Sequence, residues 1–196
     1  TSTVVTVNSG GALYAASGSY HLGRLNLAGG TTAGAAAANY YYIDQAVNVS
    51  ASSTMNTTQL KLAANASFNV SSGNTLTING VVQDGTNTNL LLLGGGNLTL
   101  AGVNTYTGST TINGGSVLIV NGSGSLGSGT YAGNIVNNGS FIYNSSAAQT
   151  LSGNISGNGT LTQNGSGNLT LTGANNSYSG DTFINAGNLT IGGAGR

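Results

Sequence analysis

The sequence predicts an all-β chain wound as a right-handed parallel β-helix. Three features predict it: short alternating strand runs, turn-forming pairs between them, and a long internal repeat. Strand runs recur along the whole chain. Val4-Val5-Thr6-Val7, Val47-Asn48-Val49, Leu60-Lys61-Leu62, Phe68-Asn69-Val70 and Leu76-Thr77-Ile78 occupy the first part. Leu98-Thr99-Leu100, Val117-Leu118-Ile119, Phe141-Ile142-Tyr143, Leu169-Thr170-Leu171 and Leu189-Thr190-Ile191 follow. Most alternate apolar with polar residues, the period of two that marks a strand with one buried face. Each run is short. Asn-Gly, Gly-Gly, Ser-Gly and Gly-Asn pairs separate them, and these residues accept the positive φ that tight turns need. No stretch sets an apolar face against a charged one at helical spacing. The one alanine-rich run, 33–38, is short and includes Gly34.

The repeat selects a solenoid over a sandwich or barrel. Gly96-Asn97-Leu98-Thr99-Leu100 recurs as Gly167-Asn168-Leu169-Thr170-Leu171, so that Leu98 corresponds to Leu169. At the same offset Asn104 aligns with Asn175. Beyond it Tyr106 aligns with Tyr178, Gly108 with Gly180, Thr110 with Thr182 and Ile112-Asn113 with Ile184-Asn185. The members of these later pairs stand one position farther apart, which places an inserted residue near Ser177. A long unit with several strands inside it is the mark of stacked repeats. Residues 1–196 read as one domain, with repeat units near 75–129 and 148–196. Coils of about 20–25 residues give about eight or nine turns and a rod on the order of 40 Å long at the strand spacing. Leu98, Leu100, Leu169 and Leu171 are expected to point inward.

Composition narrows the function. Only Arg24, Lys61, Arg196, Asp44, Asp84 and Asp181 carry a formal charge, and the 34 glycines include no collagen-like period. In a stacked ladder, neutral residues avoid the repulsion that like charges in register would bring. Three scattered cations cannot form the basic stripe that nucleic acid requires, so no nucleic-acid partner is expected. Zero cysteine removes disulfides and thiolate chemistry. No apolar run reaches the length of a membrane-spanning helix, the longest aliphatic stretch being Leu90 to Leu93. No membrane insertion by this segment is expected, and any targeting or anchoring part would lie elsewhere.

At Gly96 through Gly108, continuing to Gly115-Ser116-Val117, and again at Gly167 through Asn175, continuing to Gly187-Asn188-Leu189, the chain resembles the autotransporter-associated β-strand repeat. The lead-ins Gly80 to Gly85 and Asn154 to Thr162 resemble that family too. The resemblance implies a passenger β-helix exported to a bacterial surface, hence an extracellular or cell-surface location. The family shares no catalytic residues, so none is carried over. The second copy departs at Asp181, where the first has Ser109.

Candidate sites are few. Acid–base chemistry needs titratable groups within reach of one another. Asp44, Asp84 and Asp181 are far apart in sequence, and all three read as exposed turn residues. His21 is the only histidine, with Ser17 and Ser19 near it, but no acid orienter is indicated. Gly94-Gly95-Gly96 lacks the Asp of a calcium-binding nonapeptide. No catalytic residue, cofactor or metal site is therefore expected, and the chain reads as a non-enzyme. The Thr-x-Thr pairs, such as Thr75/Thr77 and Thr170/Thr172, do not recur at one fixed position per coil. Tyrosines are the unusual feature: Tyr14, Tyr20, Tyr40, Tyr41 and Tyr42 cluster in the first quarter and form the candidate ligand patch.

The leading expectation is a structural shaft or fibre segment of a bacterial surface protein. The alternative is an adhesin that contacts a polysaccharide or a host surface through tyrosine-rich loops. A polysaccharide-active enzyme ranks third. The runs Thr3 to Val7 and Leu189 to Gly193 carry no polar cap, which leaves two further expectations. One is continuation in a longer chain; the other is a homopolymer built by head-to-tail stacking.

Overall fold

The computed structural model describes residues 3–16, 18–34, 40–63, 66–85 and 89–192. Ser17, residues 35–38 of the alanine-rich run, Gly193 and Arg196 lie outside them. The described chain makes about eight turns of a parallel β-solenoid whose strands fall on three faces. Every strand–strand ladder among the described residues is parallel, as turn-over-turn stacking requires. Val4 pairs with Arg24, Arg24 with Ala46, Ala46 with Ser67, Thr110 with Ile135 and Ile135 with Ile155. These steps are the length of one coil, and they agree with the range expected of a solenoid repeat.

The first face begins at Val4–Asn8 and runs through Ser67–Val70, Leu90–Leu93 and Thr110–Ile112 to Ile155–Ser156. The second runs from Ala12–Ala15 through Thr75–Ile78, Asn97–Leu100 and Val117–Gly122 to Thr182–Ile184, nine strands in all. The third is in two parts. Gln59–Leu62 and Val81–Asp84 belong to the lower part, while Thr130–Tyr131, Gln149–Leu151, Asn168–Leu171 and Asn188–Ile191 form the upper. Two strands are far longer than the short runs read from the sequence. Ser19–Ala28 and Tyr40–Ala51 each bend round a corner and serve two faces. Their mutual register slips between Leu22 and Arg24, which is where the bend lies.

Alternation puts the core in the middle. Leu76, Leu98, Leu118, Phe141 and Leu161 stack as one fully buried column behind the second face. Leu98, Leu100, Leu169 and Leu171 all point inward, at 1% exposure or less. Corners are tight where glycine sits on glycine. A side chain on Gly153 would strike the Gly133 carbonyl, and one on Gly173 would strike that of Gly153. Only glycine allows the coils to stack that closely there.

The repeat is displaced by one face. Asn97–Leu100 lies on the second face, between Thr75–Ile78 and Val117–Gly122. Its copy Asn168–Leu171 lies on the third, between Gln149–Leu151 and Asn188–Ile191. Three coils carry the column from Leu98 through Leu118 and Phe141 to Leu161, and Leu169 lies one further side of the triangle along. The motif therefore specifies a strand–corner–strand unit that more than one face can host.

The inserted residue also lies earlier than the sequence alignment places it. The Asn104 side chain is fully buried and accepts from Val82 N–H at 3.0 Å. In the second copy Asn176, not Asn175, accepts the matching bond from Ile155 N–H at 2.8 Å. Asn104 donates back to the Gly102 carbonyl, and Asn176 to that of Gly173, one residue farther along the chain. The extra residue is thus between Gly173 and Asn176, before Ser177.

Candidate functional site

Four successive coils place their chemistry-bearing residues on the lower third face. The register stacks His21, Tyr42, Lys61 and Gln83 in one row and Ser19, Tyr40, Gln59 and Val81 in the next. Between them Tyr20, Tyr41, Leu60 and Val82 alternate to the other side of the strands. The His21 ring stacks on Tyr42 with centroids 4.6 Å apart, and the Lys61 ammonium lies 4.0 Å above the Tyr40 ring. The latter distance suits a cation–π contact. Gln83 donates to Gln59 across the coils at 2.7 Å. At the adjoining corner Asp44 approaches His21 Nδ1 at 3.8 Å, too long for a hydrogen bond, and Arg24 donates to Gln45 at 3.3 Å.

The tyrosine cluster divides. Tyr40 and Tyr42 face outward, half-buried, on a strand rather than a loop. Tyr41 points into the rod at 1% exposure, because a strand turns alternate residues to opposite sides. Its hydroxyl donates toward the Leu13 and Ala33 carbonyls, and burial, with Tyr20 adding, pushes its pKa to about 12. Tyr41 is thus a core residue and is withdrawn from the ligand patch. Tyr14 is exposed but stands on the second face. Tyr20 lies at the lower edge of the third face, 6.3 Å from the Tyr41 ring.

The acids differ from the turn reading as well. Asp84 ends a strand, and its carboxylate accepts from the backbone N–H and the hydroxyl of Thr107 in the coil above. It helps bridge a break in the third face, where residues 103–107 form no strand. The bond from Thr105 N–H to the Val82 carbonyl and the buried Asn104 amide hold that segment instead. A hollow of about 230 Å³ opens there beside Thr105, Thr107, Ser128 and Thr130. Beneath it Tyr106, Thr110 and Tyr131 share a buried hydroxyl chain. Asp44 is exposed on a strand, and Asp181 is exposed. Among the described residues no three His, Cys, Asp or Glu side chains gather as a metal site would require.

The two copies of the repeat share internal geometry, not only sequence. Tyr106 and Thr110 are joined hydroxyl to hydroxyl at 2.9 Å, and Tyr178 and Thr182 at 2.8 Å. The family model that matches these segments, at residues 92–120 and 161–191, is that of the passenger-associated-transport-repeat. Two segments of the chain match that model. Together with the solenoid, they fit a structural segment of an autotransporter passenger. No curated protein and no solved structure matches the chain. The passenger-associated-transport-repeat is a structural repeat rather than an enzyme family. Its two copies lie apart from the His21–Tyr42–Lys61 row, which belongs to the lower coils. Sequence spacing hides that row, since His21, Tyr42, Lys61 and Gln83 meet only once the coil length at this face is known.

Proposed function

We propose that the chain is a stretch of passenger shaft, exported and displayed outside the cell, which acts as a stiff spacer without catalysis. One observation carries the reading: a single apolar core runs through the described turns, with transport repeats wound into it. Shared core and shared ladders resist bending between coils, which is what a spacer needs. The charged groups support a non-catalytic role. Asp84 is bonded to Thr107, Lys61 lies on an aromatic ring, and Asp44 stands beyond hydrogen-bonding reach of His21. Display tests the reading. The chain is placed in an autotransporter between its leader and its outer-membrane barrel, with an epitope at the Asn138–Gly139 corner. Antibody labelling of intact cells is expected; signal only after cell lysis would contradict it.

The second reading is adhesion to a polysaccharide or host surface. The grouping of Tyr40, Tyr42, His21 and Lys61 on one face of a charge-poor rod favours it. Retention on a panel of immobilised polysaccharides, lost in Tyr40→Ala/Tyr42→Ala, would support this reading, and no retention would count against it. Head-to-tail stacking of copies is a further proposal. The near-absence of charge supports it, since little repulsion opposes end-to-end approach, and negative-stain microscopy distinguishes filaments from short rods.

A further inference from the structure

The outward side of the second face is a continuous ladder of neutral side chains. Register stacks Thr31, Thr54, Thr77 and Thr99, then Ile119 and Ile142, then Thr162, all on the outer side of their strands, with Thr99 the most covered at 8% exposure. Each of these rungs is β-branched, and Phe183 follows at 48% exposure. The column takes one residue from each coil, but the steps between successive rungs are unequal, which conceals it in the sequence. Beside this column runs a row of asparagines. Asn144 donates to Asn121 at 2.9 Å and Asn164 to Asn144 at 3.0 Å, so these amides are hydrogen-bonded along the rod by one another. None of the nine strands of this face contains a charged residue, and the one charge beside it is exposed Asp181, just before the last strand.

We propose that this face binds the same face of a second copy of the chain. The two rods lie antiparallel about a two-fold axis that passes between Ile119 and Ile142. Spacing is the first argument. Rungs repeat every ~4.8 Å, and a partner engages the whole column only if it repeats at that interval; a second copy does so by construction. Charge is the second: the only charge at this face, Asp181, lies at the Phe183 rung and meets the partner's neutral Thr77 rung, so the face meets its own image without like-charge repulsion. The third is the position of the apolar rungs. The axis sets Ile119 against the partner's Ile142, Thr99 against the partner's Thr162 and Thr77 against the partner's Phe183. Six rungs of three columns cover roughly 500 Å² per copy, or about 1,000 Å² in total, the lower bound for a specific interface. The dimer is therefore weak and reversible.

Sedimentation velocity over a concentration series tests the proposal on the full chain. A monomer–dimer equilibrium is expected. Ile142→Lys puts a charge on the solvent side of its strand and abolishes the dimer, while circular dichroism and the melting temperature stay close to the parent's. Ile119→Glu does the same. Mixing the two variants restores a dimer, because the two-fold axis sets the introduced carboxylate against the introduced ammonium. A parent that is monomeric throughout overturns the proposal, as does a dimer that survives both substitutions or a mixture that stays monomeric. A monomer that slows ice growth would also overturn it, assigning the ladder to a crystalline water surface.

Discussion

The Tyr106 phenol and the Thr110 hydroxyl stand 2.9 Å apart inside the rod, both at 0% exposure. Tyr131 bonds to the same Thr110 oxygen at 2.8 Å and donates as well to the Gly108 carbonyl. The edge-to-face contact of the two rings, with centroids 5.4 Å apart, fills the core behind the broken part of the third face. Thr110 is the shared partner of the pair, so Thr110→Val takes a hydrogen bond from each of the two buried phenols. Loss of the two bonds should cost about 1–3 kcal/mol. Thr182→Val breaks the same bond where it is exposed, and should change stability by no more than about 0.5 kcal/mol. Urea midpoints of the two variants check the contrast.

The position of the inserted residue gives a second test. Asn176→Ala removes the acceptor for Ile155 N–H and is expected to cost about 1 kcal/mol. Asn175 is exposed, and its backbone rather than its side chain makes the bond to Asn154, so Asn175→Ala should be nearly neutral. Asn104→Ala should cost most, at about 2–4 kcal/mol, because a fully buried amide loses bonds to Val82, Gly102 and Ser125 together. Urea midpoints rank the three. If Asn175 proves the costlier of the neighbouring pair, the sequence alignment holds and the structural pairing fails.

Alkaline pH should unfold the rod cooperatively. Burial raises the pKa of Tyr41 and Tyr131 to about 12, and that of Tyr106 and Tyr143 above the ordinary value. An unfolded tyrosine titrates near ~10. The folded state thus holds these protons more tightly. Their contribution is fully present below pH ~10 and is lost as pH rises toward ~12. Tyrosinate absorbance and far-ultraviolet circular dichroism should change together in that window. Full titration of every phenol near ~10 with the fold intact would contradict the burial of these four.

Much of the fold is legible in the sequence because a strand's alternation is local. The inward leucines follow from Leu98-Thr99-Leu100 and its copy. What needs the register is not legible. His21 pairs with Tyr42, Tyr42 with Lys61 and Lys61 with Gln83 at unequal separations, so no fixed interval announces the row on the third face. The threonine column is hidden for the same reason. Tyr41 reads as part of an aromatic cluster because Tyr40-Tyr41-Tyr42 are adjacent in sequence. A strand separates adjacent residues, and only its neighbours in other coils decide which side is buried. The face shift between the repeats is invisible in the sequence because the step from Leu98 to Leu169 is not a whole number of turns.

The central claim is a rod in which each coil adds one rung. The chain has no cysteine of its own, so paired cysteines can carry spin labels without background. Thr31 stands three rungs below Thr99, four below Ile119 and six below Thr162 on one column. At ~4.8 Å per rung, pulsed electron paramagnetic resonance should find backbone separations of about 14, 19 and 29 Å for these three pairs, rising linearly with rung number. Separations that fail to rise with rung number, or that fold back as hairpins would make them, would contradict the rod.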